Sequence, residues 1–216
     1  MYPRTLSAAF LGLLALLPVP AVHAQNWSGY DYRGELCQII QGYGPFDYTN
    51  PEHYLHKLPV VTKAHFTPNV ENLIKGESGT IAADLTYTLR AFPNHHRALY
   101  SLVRYQLRDK NRRLMVSPEC FLERATEFKA DDAIVYMIYG IYLHGLDRLP
   151  DAEQKYQKAE ELFEQPSAEL FYNMGLLYVD MANYEAASRY ARRAYDLGYQ
   201  LPGLRQMLAR RGHPLQ

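Results

Sequence analysis

From about Phe92 onward, apolar residues recur at helical spacing and are broken by short turns rich in Gly, Pro, Asp and Asn, which predicts a run of amphipathic helices. Asp131 and Asp132 stand before the apolar stretch from Ala133 to Leu143 as capping acids stand before a helix. A turn from Gly145 to Pro150 follows, then a second helix from about Pro150 to Phe163, with Pro166 beyond it. Ser167 caps a third helix reaching about Met181, Asn183 marks the next turn, and Tyr184 to Leu197 form a fourth helix stopped by Gly198. These two pairs echo each other at an offset of 35 residues (171 minus 136). Tyr136, Tyr139, Gly140 and Leu143 recur as Phe171, Met174, Gly175 and Tyr178, and Ala152, Tyr156 and Ala159 recur as Ala187, Ala191 and Ala194. Small residues at fixed positions let paired helices approach closely, while the aromatics fill the spaces between pairs.

A repeat of this length, with an aromatic, Leu-Gly or its equivalent, then Ala, an aromatic and Ala, resembles the tetratricopeptide family. The units 133–166 and 167–201 carry the resemblance, with Leu143 where a tyrosine is usual and Ala191 in place of an aromatic. Leu122 and Ala125 place a degenerate unit over 94–132, and 69–93 resembles the closing half of another. Residues 202–216 read as a capping helix and tail, whose Arg205, Arg210 and Arg211 keep the outer end wet. The resemblance implies an all-α fold: a short right-handed superhelical solenoid of antiparallel helix pairs.

The first residues have a different character. A basic start at Arg4, an apolar run from Ala8 to Leu17, and Val22-His23-Ala24 form the pattern of a cleaved secretory signal over 1–24, too short to span a bilayer. Export to the periplasm is the expectation. Residues 25–68 are dense in aromatics, Gly and Pro and sustain neither period, apart from a short helix around Glu35 to Gln41. Such a segment is expected to fold back along the solenoid as an irregular extension. In an oxidising compartment Cys37 and Cys120 either pair or remain as two buried thiols.

The 23 basic and 23 acidic residues cancel, which speaks against nucleic acid or an anionic membrane surface as partner. His53, His56 and His65 cluster, and His95 and His96 are adjacent, but no ligand spacing for a metal joins them. No nucleophile elbow, phosphate loop or zinc-protease motif is present, so neither catalysis nor a cofactor is expected. The resemblance instead implies a binding groove along the first helix of each pair. Residue by residue, that groove comprises Ile134, Met137, Ile141 and His144 in one unit and Tyr172, Asn173, Leu176 and Asp180 in the next. It lacks the lysines and arginine with which some family members clamp a carboxylate, and it suits a peptide with apolar anchors. The chain's own Tyr43–Tyr54 is the competing occupant. A non-catalytic envelope adaptor with an unidentified protein or peptide partner is therefore expected. A carbohydrate-binding module for peptidoglycan or exported polysaccharide is the second reading, motivated by the 19 tyrosines.

Overall fold

The computed structural model describes residues 26–215. A hairpin of β1 (Trp27–Tyr30) and β2 (Leu36–Ile39) leads through the short helices α1 (Pro51–His56), α2 (Leu58–His65) and α3 (Pro68–Glu71). The chain continues as α4 (Ile81–Ala91), α5 (His96–Leu107), α6 (Pro118–Phe128), α7 (Ala133–Gly145), α8 (Leu149–Leu162), α9 (Ala168–Asp180), α10 (Tyr184–Asp196) and α11 (Gly203–Arg210). Consecutive helices pack against each other, most extensively α7 on α8 and α9 on α10, and the first helices α5, α7 and α9 also touch in turn. The result is an all-α, tetratricopeptide-like stack carrying a small β-hairpin near its start.

Local chemistry sets both ends of these helices. Thr80, Asp132, Ser167 and Asn183 each accept a hydrogen bond from the amide three residues on, which satisfies a first-turn donor that the helix itself cannot. At the other end, α7, α9, α10 and α11 close in the same way. The residue after the last turn takes a left-handed conformation at Asp147, Ala182, Gly198 and Gly212. The following amide then bonds back to the carbonyl five residues earlier: Arg148 to Leu143, Asn183 to Tyr178, Tyr199 to Ala194 and His213 to Leu208. Glycine adopts this conformation without strain. Asp147 and Ala182, which occupy equivalent places in the two repeats, do not.

The repeat echo is also visible in the core. Ala152, Ala159, Ala187, Ala191 and Ala194 are fully buried, and so is Tyr156. A methyl group on Gly140 would meet the Tyr156 ring of the partner helix at 2.4 Å. Its equivalent, Gly175, faces a different neighbour: the tip of Leu204 on α11 at 2.4 Å, with the α10 backbone farther off at the Ala187 carbonyl, 3.6 Å away. α10 carries Ala191 where α8 carries Tyr156, and Leu204 of α11 occupies the space beside Gly175.

Residues 26–68 hold more regular structure than their composition predicts. Where a short helix is expected around Glu35 to Gln41, the chain instead forms β2, paired antiparallel with β1 so that Trp27 faces Ile39 and Tyr30 faces Leu36. Glu35 and Gln41 lie just outside the strand. The reason is packing: alternation places Cys37 and Ile39 inward, at 1% and 2% exposure, and leaves Leu36 and Gln38 outside. A Cys37–Cys120 disulfide with an S–S distance of 1.95 Å fastens the hairpin to α6, and Trp27 Nε1 donates to Glu127 of the same helix at 2.6 Å. The segment after the hairpin then runs over the α4–α5 corner. Phe46 N–H donates to the Ala91 carbonyl at 2.8 Å, and the Phe46 ring lies 5.4 Å from that of Phe92. Buried Arg124 of α6 donates to the carbonyls of Leu89 and Arg90 and to the Gln41 side chain, tying helix stack and extension together. The signal-like stretch 1–24 lies outside the described residues.

Candidate binding face

The helix pairing places the expected groove residues on α7 and α9, but the environments differ among them. Ile134, Ile141 and Leu176 are half-buried apolar positions, and Ile141 and Leu176 hold the same place in successive repeats. Met137 and Tyr172 are buried, at 6% and 8% exposure. The cover over Tyr172 comes from the segment after α10. The Tyr199 ring lies 4.3 Å from it, and the Tyr172 hydroxyl lies against the backbone at Gly203 and Leu204. Burial therefore raises the Tyr172 hydroxyl's pKa above the ordinary value. Asn173 turns its amide onto its own helix, donating to the Glu169 carbonyl at 2.9 Å. His144 and Asp180 meet at 2.8 Å, joining α7 to α9 through a partly exposed pair.

Ile134 stands apart from this row. It lines a hollow of about 420 Å³ at the start of α7, together with Thr49, His96 and the α8 end at Leu162 and Phe163. The segment Tyr43–Tyr54 reaches the array here, at the N-terminal ends of α5 and α7. The Tyr48 amide donates to Asn94 Oδ1 at 2.9 Å, and its ring stacks on His95 with centroids 4.3 Å apart. Asn94 in turn donates to Asp47 at 2.8 Å and to Asp132 at 3.1 Å. Burial opposes ionisation of Asp47, but the donors Asn94 and Thr49 hold its carboxyl below the usual range.

The histidines are used as structural connectors. His95 caps α5 by accepting from the Ala98 amide at 3.2 Å, a role open only to the neutral ring. Burial, with His96 beside it, pulls His95 down to about 3. His96 bonds the Asp132 carboxylate at 2.8 Å, and His65 bonds Asp84 at 2.9 Å while stacking on Tyr87 at 3.9 Å. Among the described residues, no Ser, Thr or Cys side chain is hydrogen-bonded to a histidine ring, and no three His, Cys, Asp or Glu side chains converge as metal ligands do.

Sequence reasoning missed the cover that Tyr199 and Leu204 place over Tyr172. The available signal was Gly198, which ends α10 and aims Tyr199 back at the stack. It also missed the hairpin, whose signal was a Gly-containing turn, Asp31 to Gly34, between two short alternating stretches.

No protein-family model and no curated protein matches this chain. Among solved structures it is similar to that of Pseudomonas aeruginosa pilF, at 17% identity and a TM-score of 0.48, covering 72% of this chain and 67% of that one.

Proposed function

We propose that this protein is a non-catalytic adaptor of the bacterial cell envelope, which holds a partner protein or peptide along α7 and α9. The supporting observation is the repetition of a half-exposed aliphatic residue, Ile141 and then Leu176, at one repeat position beside the His144–Asp180 pair. Completing the burial of two such side chains contributes about 1 kcal/mol each. That is a useful share of a micromolar interaction, which totals about 8 kcal/mol. Asn173 and Asp180 supply polar rim, while Ile134, at the end of the face, would meet whatever lies against Thr49. Recognition would be by shape and apolar contact. The envelope location draws on the signal-like stretch, and a disulfide is compatible with an oxidising compartment. No helix among the described residues is long and apolar enough to cross a membrane.

Photocrosslinking in the living cell tests this reading. A benzophenone amino acid at Ile141 or Leu176 should give a discrete adduct with one protein, and the same probe at exposed Arg192 on α10 should not. Adducts that are absent, or identical at all three positions, would sink it. Pelleting with purified peptidoglycan that Ile141→Asp abolishes would move the function to carbohydrate binding.

A further inference from the structure

Among the described residues the outer edge of β2 is unpaired, and a groove flanks it. In the hairpin, Asp31 N–H donates to the Glu35 carbonyl, so the odd-numbered residues 35, 37 and 39 turn their backbone groups toward β1. Leu36, Gln38 and Ile40 consequently point their N–H and C=O groups away from it, and these make no hydrogen bond among the described residues. Alongside lies a groove of about 470 Å³ between this edge, the start of α4 and the loop before α6. Its floor and far wall are apolar or small: Ala82, Ala83, Leu114, Val116 and Phe121. At its mouth Ile40 is 67% exposed, and Met115 projects fully into solvent. Among the described residues no hydrogen-bonding element covers these outward groups.

We propose that this edge is a second binding site, which takes an extended peptide as a third strand. The peptide would carry apolar side chains at alternate positions and a carboxylate near one end. Strand addition supplies affinity through backbone hydrogen bonds and specificity through pockets for every other side chain. Here the outward groups of Leu36, Gln38 and Ile40 provide the bonds, and the groove lies on the core side of the edge, where alternate side chains of an added strand would point. That position argues against a second copy pairing β2 with β2. The inward side chains of such a strand, Cys37 and Ile39, are committed to their own core and could not fill the groove. The carboxylate follows from charge. Arg90 and Arg113 line the groove, neither forms an ion pair among the described residues, and no acidic residue lines it with them. The site is separate from the α7–α9 face and does not depend on the reading given for that face.

A heptapeptide library displayed on phage, panned against the disulfide-intact protein, tests the proposal. Enriched sequences should alternate apolar residues with others and carry Asp, Glu or a free C-terminus. A synthetic copy of the most enriched peptide should slow hydrogen exchange at the Leu36, Gln38 and Ile40 amides of the unmodified protein. Gln38→Pro removes an outward donor and leaves the bonds to β1 intact, since proline is tolerated on an edge strand. It should weaken the peptide about tenfold. Arg90→Glu with Arg113→Glu should convert the acidic preference to a basic one. An unenriched pool overturns the proposal, as does a peptide that leaves the three amides unchanged. A dimer dissolved by Gln38→Pro overturns it in favour of a second copy.

Discussion

Gly140 and Gly175 are equivalent in the sequence repeat, yet replacing each by alanine should have unequal consequences. Alanine in a helix interior is favoured over glycine by roughly 0.5–1 kcal/mol, so both variants begin with the same gain. At Gly140 the new methyl group would sit 2.4 Å from two atoms of the Tyr156 ring and 2.9 Å from a third. That ring is fully buried and backs onto the stack, so relief requires α7 and α8 to separate by about 1 Å, an overpacking cost of roughly 1–3 kcal/mol. The net effect is a destabilisation of about 1–2 kcal/mol. At Gly175 the only close atom is one terminal methyl of Leu204, and the next lies at 3.5 Å. A rotation of that side chain costs roughly 0.5–1.5 kcal/mol, which offsets the helical gain and leaves the variant near neutral. Urea unfolding followed by circular dichroism gives both values, provided the slopes with denaturant stay equal. Equal losses at the two sites, or a larger loss at Gly175, would refute the argument that α11 gives way where α8 does not.

Replacing Cys37 and Cys120 together by serine opens a loop of 83 residues and should cost about 4.5 kcal/mol on chain entropy; unchanged urea midpoints with and without reductant would count against it. The neutral His95 makes stability depend on pH in a defined direction. Its folded pKa, about 3, lies below its unfolded 6.5, so the unfolded chain binds the extra proton and stability falls as pH drops from 6.5 toward 3, by up to about 1.4 kcal/mol per pH unit. His95→Asn, which keeps a capping acceptor but does not titrate, should flatten that slope between pH 4.5 and 6.5, whatever its offset; parallel curves for variant and wild type would exclude His95 as the cause. Ala182→Gly relieves a left-handed alanine and should raise stability by about 1 kcal/mol, visible as a higher thermal midpoint, whereas a lower midpoint would mean that the methyl group is packed usefully.

The helices from α7 to α11 were readable in the sequence because their determinants are local. Asp132, Ser167 and Asn183 cap the helices that directly follow them, and the spacing of Gly140, Ala152 and Ala159 carries the packing of a pair within one stretch of chain. The hairpin depended on pairing between strands of only four residues each, too short for a period of two to stand out. Its inward face is defined by α6, some 80 residues later (120 minus 37 for the bridging cysteines). The proposed binding face was legible only as a set of positions on α7 and α9. Which of them reach solvent is decided elsewhere: Tyr199 and Leu204 cover Tyr172, an outcome that follows from where α10 stops and not from anything in the repeat itself. Likewise, Tyr43–Tyr54 meets the array at the helix starts, because Asn94 offers an acceptor to Tyr48 and a donor to Asp47 there.

The bond between Cys37 and Cys120 also divides the molecule mechanically. A plain helical stack under tension can peel away one unit at a time from either end, because each unit touches only its neighbours. Here the chain from the hairpin to α6 is a closed ring, and a load applied at the two termini bypasses it through sulfur. The chain inside the ring, a sequence separation of 83 and so roughly 280 Å when extended, would add nothing to the length released on stretching until a reductant cut the bond. The units from α7 to α11 have no such shelter, so a pull on the protein would be taken up first by the same helices that carry the proposed binding face.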